Sequence, residues 1–174
     1  MAENRKRRAT LVVTALFAAI LAVLPPGCSS PASSKGGSPV VRTVERLDML
    51  LTPVALDLDG RPGADGFGVR IYASNRKSAF GNPIVEGTLE IVMYDGTVRT
   101  DELAGATPLR AWRYPAAELK VHSQKTSIGT GYRFGLAWGG QMPRGDRITV
   151  VARYEASDGF VVVSAPGAIT LTVK

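Results

Sequence analysis

The residues best equipped for chemistry lie in Asp57-Leu58-Asp59-Gly60-Arg61-Pro62-Gly63-Ala64-Asp65-Gly66. Three carboxylates gathered by a glycine-rich turn could offer hard oxygen ligands, which makes Asp57, Asp59 and Asp65 candidates to hold a structural Ca²⁺. The spacing is not that of an EF-hand loop: counted from Asp57, Pro62 stands where glycine is required and Gly68 where the bidentate glutamate belongs. The simpler expectation is a strand connection whose aspartates cap turns and whose glycines supply positive φ. Trp112 and Tyr114, flanked by Arg110 and Arg113, make a candidate stacking ledge for a sugar or a peptide. Trp138 shares an alternating face with Phe134 and Leu136 and is expected in the core.

Groups suited to turnover are sparse. His122 is the sole histidine, and neither a histidine-cysteine metal set nor a Ser-His-Asp order with a nucleophile elbow assembles around it, so a solvated loop residue is expected. Ser74 and Lys77 have the S-x-x-K spacing in which lysine activates serine, but the companion S-D-N and K-T-G motifs are missing. Arg144-Gly145-Asp146 reads as a polar turn ahead of a strand. A hydrolase built on carboxylates is the lowest reading, because spacing nominates no pair. The chain is therefore expected to be no enzyme and to need no cofactor beyond the candidate calcium.

The elements that must carry these residues begin with an export signal. Arg5, Lys6, Arg7 and Arg8 precede an apolar run from Leu11 to Leu24, and Pro25-Pro26-Gly27 breaks it just before Cys28, the sole cysteine. As a helix the run would reach about 21 Å, short of the ~30 Å hydrocarbon thickness that a spanning helix must cross. Leu24-Pro25-Pro26-Gly27-Cys28 resembles the lipobox of bacterial lipoproteins, with prolines where family members commonly carry leucine and a small residue. The resemblance implies removal of residues 1–27 by signal peptidase II and attachment of diacylglycerol and a further palmitate-type chain at Cys28. Multiple acyl chains on one residue hold a protein stably on a bilayer, each buried methylene adding about 0.8 kcal/mol. Acylation also removes the reactive thiol that a lone cysteine would leave exposed after export.

The formal charge of +6 includes four basic residues and Glu3 within the first ten positions, so the processed chain keeps 17 basic and 14 acidic residues, a surplus of +3. A surplus that small, without a Lys/Arg run, argues against nucleic acid. Residues 28–42, rich in Ser, Gly and Pro, have little to bury and read as a flexible tether. Ser29 after the lipidated cysteine resembles the outer-membrane class of enterobacterial lipoproteins, which favours the outer over the inner membrane.

Residues 43–174 read as one all-β domain, because nearly every apolar stretch alternates with period two between Gly, Pro, Asn or Asp boundaries. Strands are expected at Thr52 to Leu58, with Pro53 at an edge, and at Phe67 to Ala73, Leu89 to Tyr94, Tyr132 to Trp138, Ile148 to Tyr154, Phe160 to Ser164 and Ile169 to Val173. One short helix is expected within Tyr114 to Val121, with Pro115 in its first turn. About seven or eight strands with regular turn signals resemble an immunoglobulin-like or fibronectin-III-like sandwich, a small barrel being the alternative. The Asp57 to Gly66 stretch before a strand, the strand ending at Trp138-Gly139 and the Arg153-Tyr154 strand resemble the small single-domain lipoproteins of Gram-negative, planctomycete-like genomes. The resemblance implies a lipid-anchored envelope protein that binds or supports another protein, peptidoglycan or polysaccharide. The alternative is a Ca²⁺-assisted carbohydrate-binding module using the aspartate loop and Trp112.

Overall fold

The computed structural model describes residues 42–171. Cys28, residues 1–27 and the tether up to Val41 lie outside the described residues, as do Thr172 and Val173 of the last expected strand. Nine strands follow in order: β1 Arg46–Leu51, β2 Gly66–Ser74, β3 Thr88–Asp95, β4 Arg110–Pro115, β5 Ser123–Thr126, β6 Gly129–Ala137, β7 Arg147–Glu155, β8 Val161–Val163 and β9 Gly167–Thr170. One sheet has the order β1-β2-β6-β5; the other has the order β4-β3-β7-β8, with β9 also on β7, and every strand pair is antiparallel. This is the immunoglobulin-like arrangement, A-B-E-D against C′-C-F-G, with the last strand in two pieces. Among the described residues no helix is long and apolar enough to cross a membrane.

Alternation makes the core. Phe67, Val69, Ile71 and Ala73 of β2 and Tyr132, Phe134 and Leu136 of β6 face Leu89, Ile91 and Met93 of β3 and Ile148, Val150, Ala152 and Tyr154 of β7, all buried. Each large aliphatic or aromatic side chain so buried contributes about 1.5–3 kcal/mol. Trp138 is buried with them, as expected. A second cluster on the outer face of the five-stranded sheet joins Val92, Tyr94 and Val151 to Val98, Leu103 and Ala106 of the β3–β4 connection.

The expected strand at Thr52 to Leu58 does not form. Its alternation is real, but the segment changes partners: Val54 bridges Thr170 in parallel and Leu56 bridges Gly66, so no ladder propagates. Pro53 has no N–H to give and accepts from Thr170 N instead. The expected helix shrinks to a 3₁₀ turn at Leu119–His122, because Tyr114 and Pro115 end β4 and pair with Leu89 and Thr88. β8 and β9 are separated at Ser164-Ala165-Pro166, where Pro166 lacks a ladder donor.

Candidate binding face of the four-stranded sheet

In the Asp57–Asp65 loop each carboxylate turns to a nearby backbone donor. Asp57 accepts from Gly60 N at 2.8 Å, Asp59 from Arg61 N at 2.9 Å and Asp65 from Leu58 N at 2.7 Å. Among the described residues no three His, Cys, Asp or Glu side chains converge as a cation site, and these aspartates are not gathered on one point. Their visible task is loop geometry: Asp65 also donates its N–H to Leu56 O, and the loop lays Leu58 over the outward side of Gly66 and Gly135.

Trp112 and Tyr114 lie on β4 with their rings turned inward and half-buried. Trp112 meets Phe67 edge-on with centroids 5.7 Å apart, and Tyr114 lies 4.6 Å from Phe134. The Arg110 guanidinium stands 5.2 Å from the Trp112 ring centroid and donates to Trp138 O at 2.6 Å. The aromatic pair thus closes the open side of the sandwich, with part of each ring still in contact with solvent. His122 differs from its expectation: it is partly buried, its ring 4.5 Å from that of Phe134 and 5.1 Å from that of Tyr114. Burial pushes the Tyr114 phenol above its ordinary value.

Ser74 is buried at the end of β2, whereas Lys77 sits in an exposed turn. Arg144 and Gly145 donate their backbone N–H groups to the Asp95 carboxylate at 3.2 Å, which fixes the Arg144-Gly145-Asp146 turn.

Strand register brings together a constellation that sequence spacing does not show. On the outward face of the four-stranded sheet, β1, β2 and β6 align in rows: Asp48, Tyr72 and Gly131; then Leu50, Arg70 and Arg133; then Gly68 opposite Gly135. Gly131 and Gly68 allow close approach. A Cβ on Gly131 would stand 2.8 Å from Tyr72 Cε1, and one on Gly68 would stand 2.9 Å from Thr52 Cγ2. Around Gly68 and Gly135 lies a groove of about 410 Å³, walled by Leu50, Leu56 and Leu58 and ended by Arg70 and Arg133. A neighbouring hollow of about 390 Å³ shares Leu50 and is lined by Tyr72, Phe80 and Ile128. Phe80 and Ile128 are 58% and 50% exposed.

Charge distinguishes the two outer faces. On the five-stranded sheet Glu90 stands between Arg113 and Arg153, accepting at 2.7 and 3.3 Å, and Arg153 also reaches Glu155 at 3.1 Å. On the four-stranded sheet Arg70 lies directly opposite Arg133, and among the described residues neither has a carboxylate within ion-pair distance. Like charges directly across a ladder are destabilising. No family model, curated protein or solved structure matches the chain.

Proposed function

We propose that this chain is a non-enzymatic cell-envelope lipoprotein, held to a bilayer through acylated Cys28, whose sandwich binds another envelope component with the outer face of its four-stranded sheet. The observation that carries the binding reading is the Arg70–Arg133 pair beside an apolar groove, like charges directly across a ladder with no carboxylate at ion-pair distance among the described residues. Support for a non-catalytic role comes from two groups that could serve turnover: Ser74 is buried while Lys77 is exposed, and the partly buried His122 ring packs against those of Tyr114 and Phe134.

The anchoring reading draws on the basic start, the short apolar run and the placement of Cys28. The sandwich is entered at Arg42, which pairs with Asp158 and lies over the Phe160 ring, 4.0 Å from its centroid. The Ser/Gly/Pro composition of residues 28–42 supports their reading as a tether, and Ser29 favours the outer over the inner membrane. Growth of the producing cells with an alkyne fatty acid tests the anchor. Label is expected on the wild-type chain and not on Cys28→Ser; an unlabelled, full-length wild-type chain in the soluble fraction would overturn it. Phosphate or sugar turnover abolished by one polar substitution would remove the non-enzymatic reading.

A further inference from the structure

We infer that the groove over Gly68 and Gly135 takes a peptide carboxylate flanked by an aliphatic side chain, gripped by Arg70 and Arg133. The inference rests on the binding-module reading above and specifies its ligand.

The sign of the ligand follows from the arginines. Two arginines on adjacent strands share a row, Arg70 half-buried and Arg133 exposed, and neither meets a carboxylate among the described residues. A carboxylate placed between them would convert a repulsive pair into charge-assisted hydrogen bonds, and arginine's planar fork suits that partner. The five-stranded sheet already shows the same unit satisfied internally, with Glu90 between Arg113 and Arg153. The four-stranded sheet presents the two arginines without the acid.

The nature of the rest of the ligand follows from the walls. Leu50, Leu56 and Leu58 line the groove, with Leu50 and Leu58 55% and 41% exposed. The Thr52 hydroxyl accepts from Gly68 N at 3.1 Å and lies 3.4 Å from Gly68 O, so it is occupied. A sugar ring in this groove would bring several hydroxyls to leucine walls, and the aromatics of this face, Tyr72 and Phe80, line the neighbouring hollow rather than the groove with the arginines. A glutamate or aspartate beside leucine or valine satisfies both halves of the groove. The peptide lies across a sheet face rather than along a strand edge, so side chains rather than backbone bonds make the contact.

The test uses the full chain in detergent micelles and fluorescence anisotropy of two end-blocked probe peptides, Gly-Leu-Glu-Leu-Gly and its glutamine counterpart. The glutamate probe is expected to bind at least about tenfold more tightly, the loss anticipated when charge-assisted hydrogen bonds are removed. The Arg70→Gln/Arg133→Gln variant should abolish that preference, and Leu58→Ser should weaken the glutamate probe while leaving the preference in place. Because the arginines repel each other, the double variant should melt no lower than wild type, which separates lost recognition from lost folding. Equal binding of the two probes, or a preference untouched in the double variant, overturns the inference. Saturable binding of polygalacturonate that the glutamate peptide does not displace also overturns it, in favour of an acidic polysaccharide. If the probes fail while the wild-type chain still holds an envelope component, the ligand class is wrong and the binding-module reading stands.

Discussion

Single residues carry the clearest energetic signals. Trp138 is 3% exposed, and its indole N–H has no hydrogen-bond partner among the described residues. Trp138→Phe keeps most of the packing and removes a buried donor, so it should leave stability within about 1 kcal/mol of wild type, whereas Trp138→Ala should cost about 3–5 kcal/mol by urea denaturation. Arg70→Gln should be neutral or stabilise by roughly 0.2–1 kcal/mol, since it relieves a like-charge pair. Glu45 shows the opposite balance. Bonded to the Arg76 guanidinium at 2.9 Å and to Arg76 N at 2.7 Å, its carboxyl is held below the usual carboxylate range. A lowered folded-state pKa means stability that is fully present above the unfolded value near 4 and lost as pH falls through the folded value. Glu45→Gln should therefore flatten the acid limb of a melting-temperature profile and leave the neutral limb parallel to wild type.

Elements were legible where period two persisted. β2, β3, β6 and β7 alternate over long stretches and stand where alternation puts them. β1 carries only a weak signal, because Arg46-Leu47-Asp48-Met49-Leu50-Leu51 alternates only briefly and keeps one exposed face. β4 is obscured by its own aromatics, Trp112 and Tyr114, which read as a ledge and which also pack half-buried against the core from the strand. Thr52 to Leu58 misled for the reverse reason: it has the pattern but no continuous partner. The Arg70–Arg133 pair could not be read at all, since β1, β3, β4 and β5 lie around or between its strands in sequence and only register aligns the two residues. Closure by β4 has a measurable consequence. Trp112→Ala should destabilise by about 1.5–3 kcal/mol, whereas Gly131→Ala should displace Tyr72 and destabilise without touching the core between the sheets.

At the scale of the molecule, the sandwich divides its labour. Apart from the Trp138 indole N–H, the described interior and the five-stranded sheet are internally paired: apolar faces meet, and Glu90 stands between Arg113 and Arg153. Burial raises the phenol pKa of Tyr132, Tyr154 and Tyr94, so their contribution to stability persists below the ordinary value near 10 and is lost as pH rises through the raised values. Alkaline unfolding should accordingly begin above about pH 10 and be accompanied by tyrosinate absorbance. Millimolar Ca²⁺ should leave the melting temperature unchanged, because the loop aspartates already serve backbone N–H groups. The face left unsatisfied is the outer side of β1, β2 and β6. The most direct measurement is capture of the tagged full chain from native envelopes, comparing wild type with Arg70→Gln/Arg133→Gln at equal abundance and quantifying what each retains. A component held by wild type and lost from the double variant is the predicted result; the same components retained equally by both would contradict the assignment of this face.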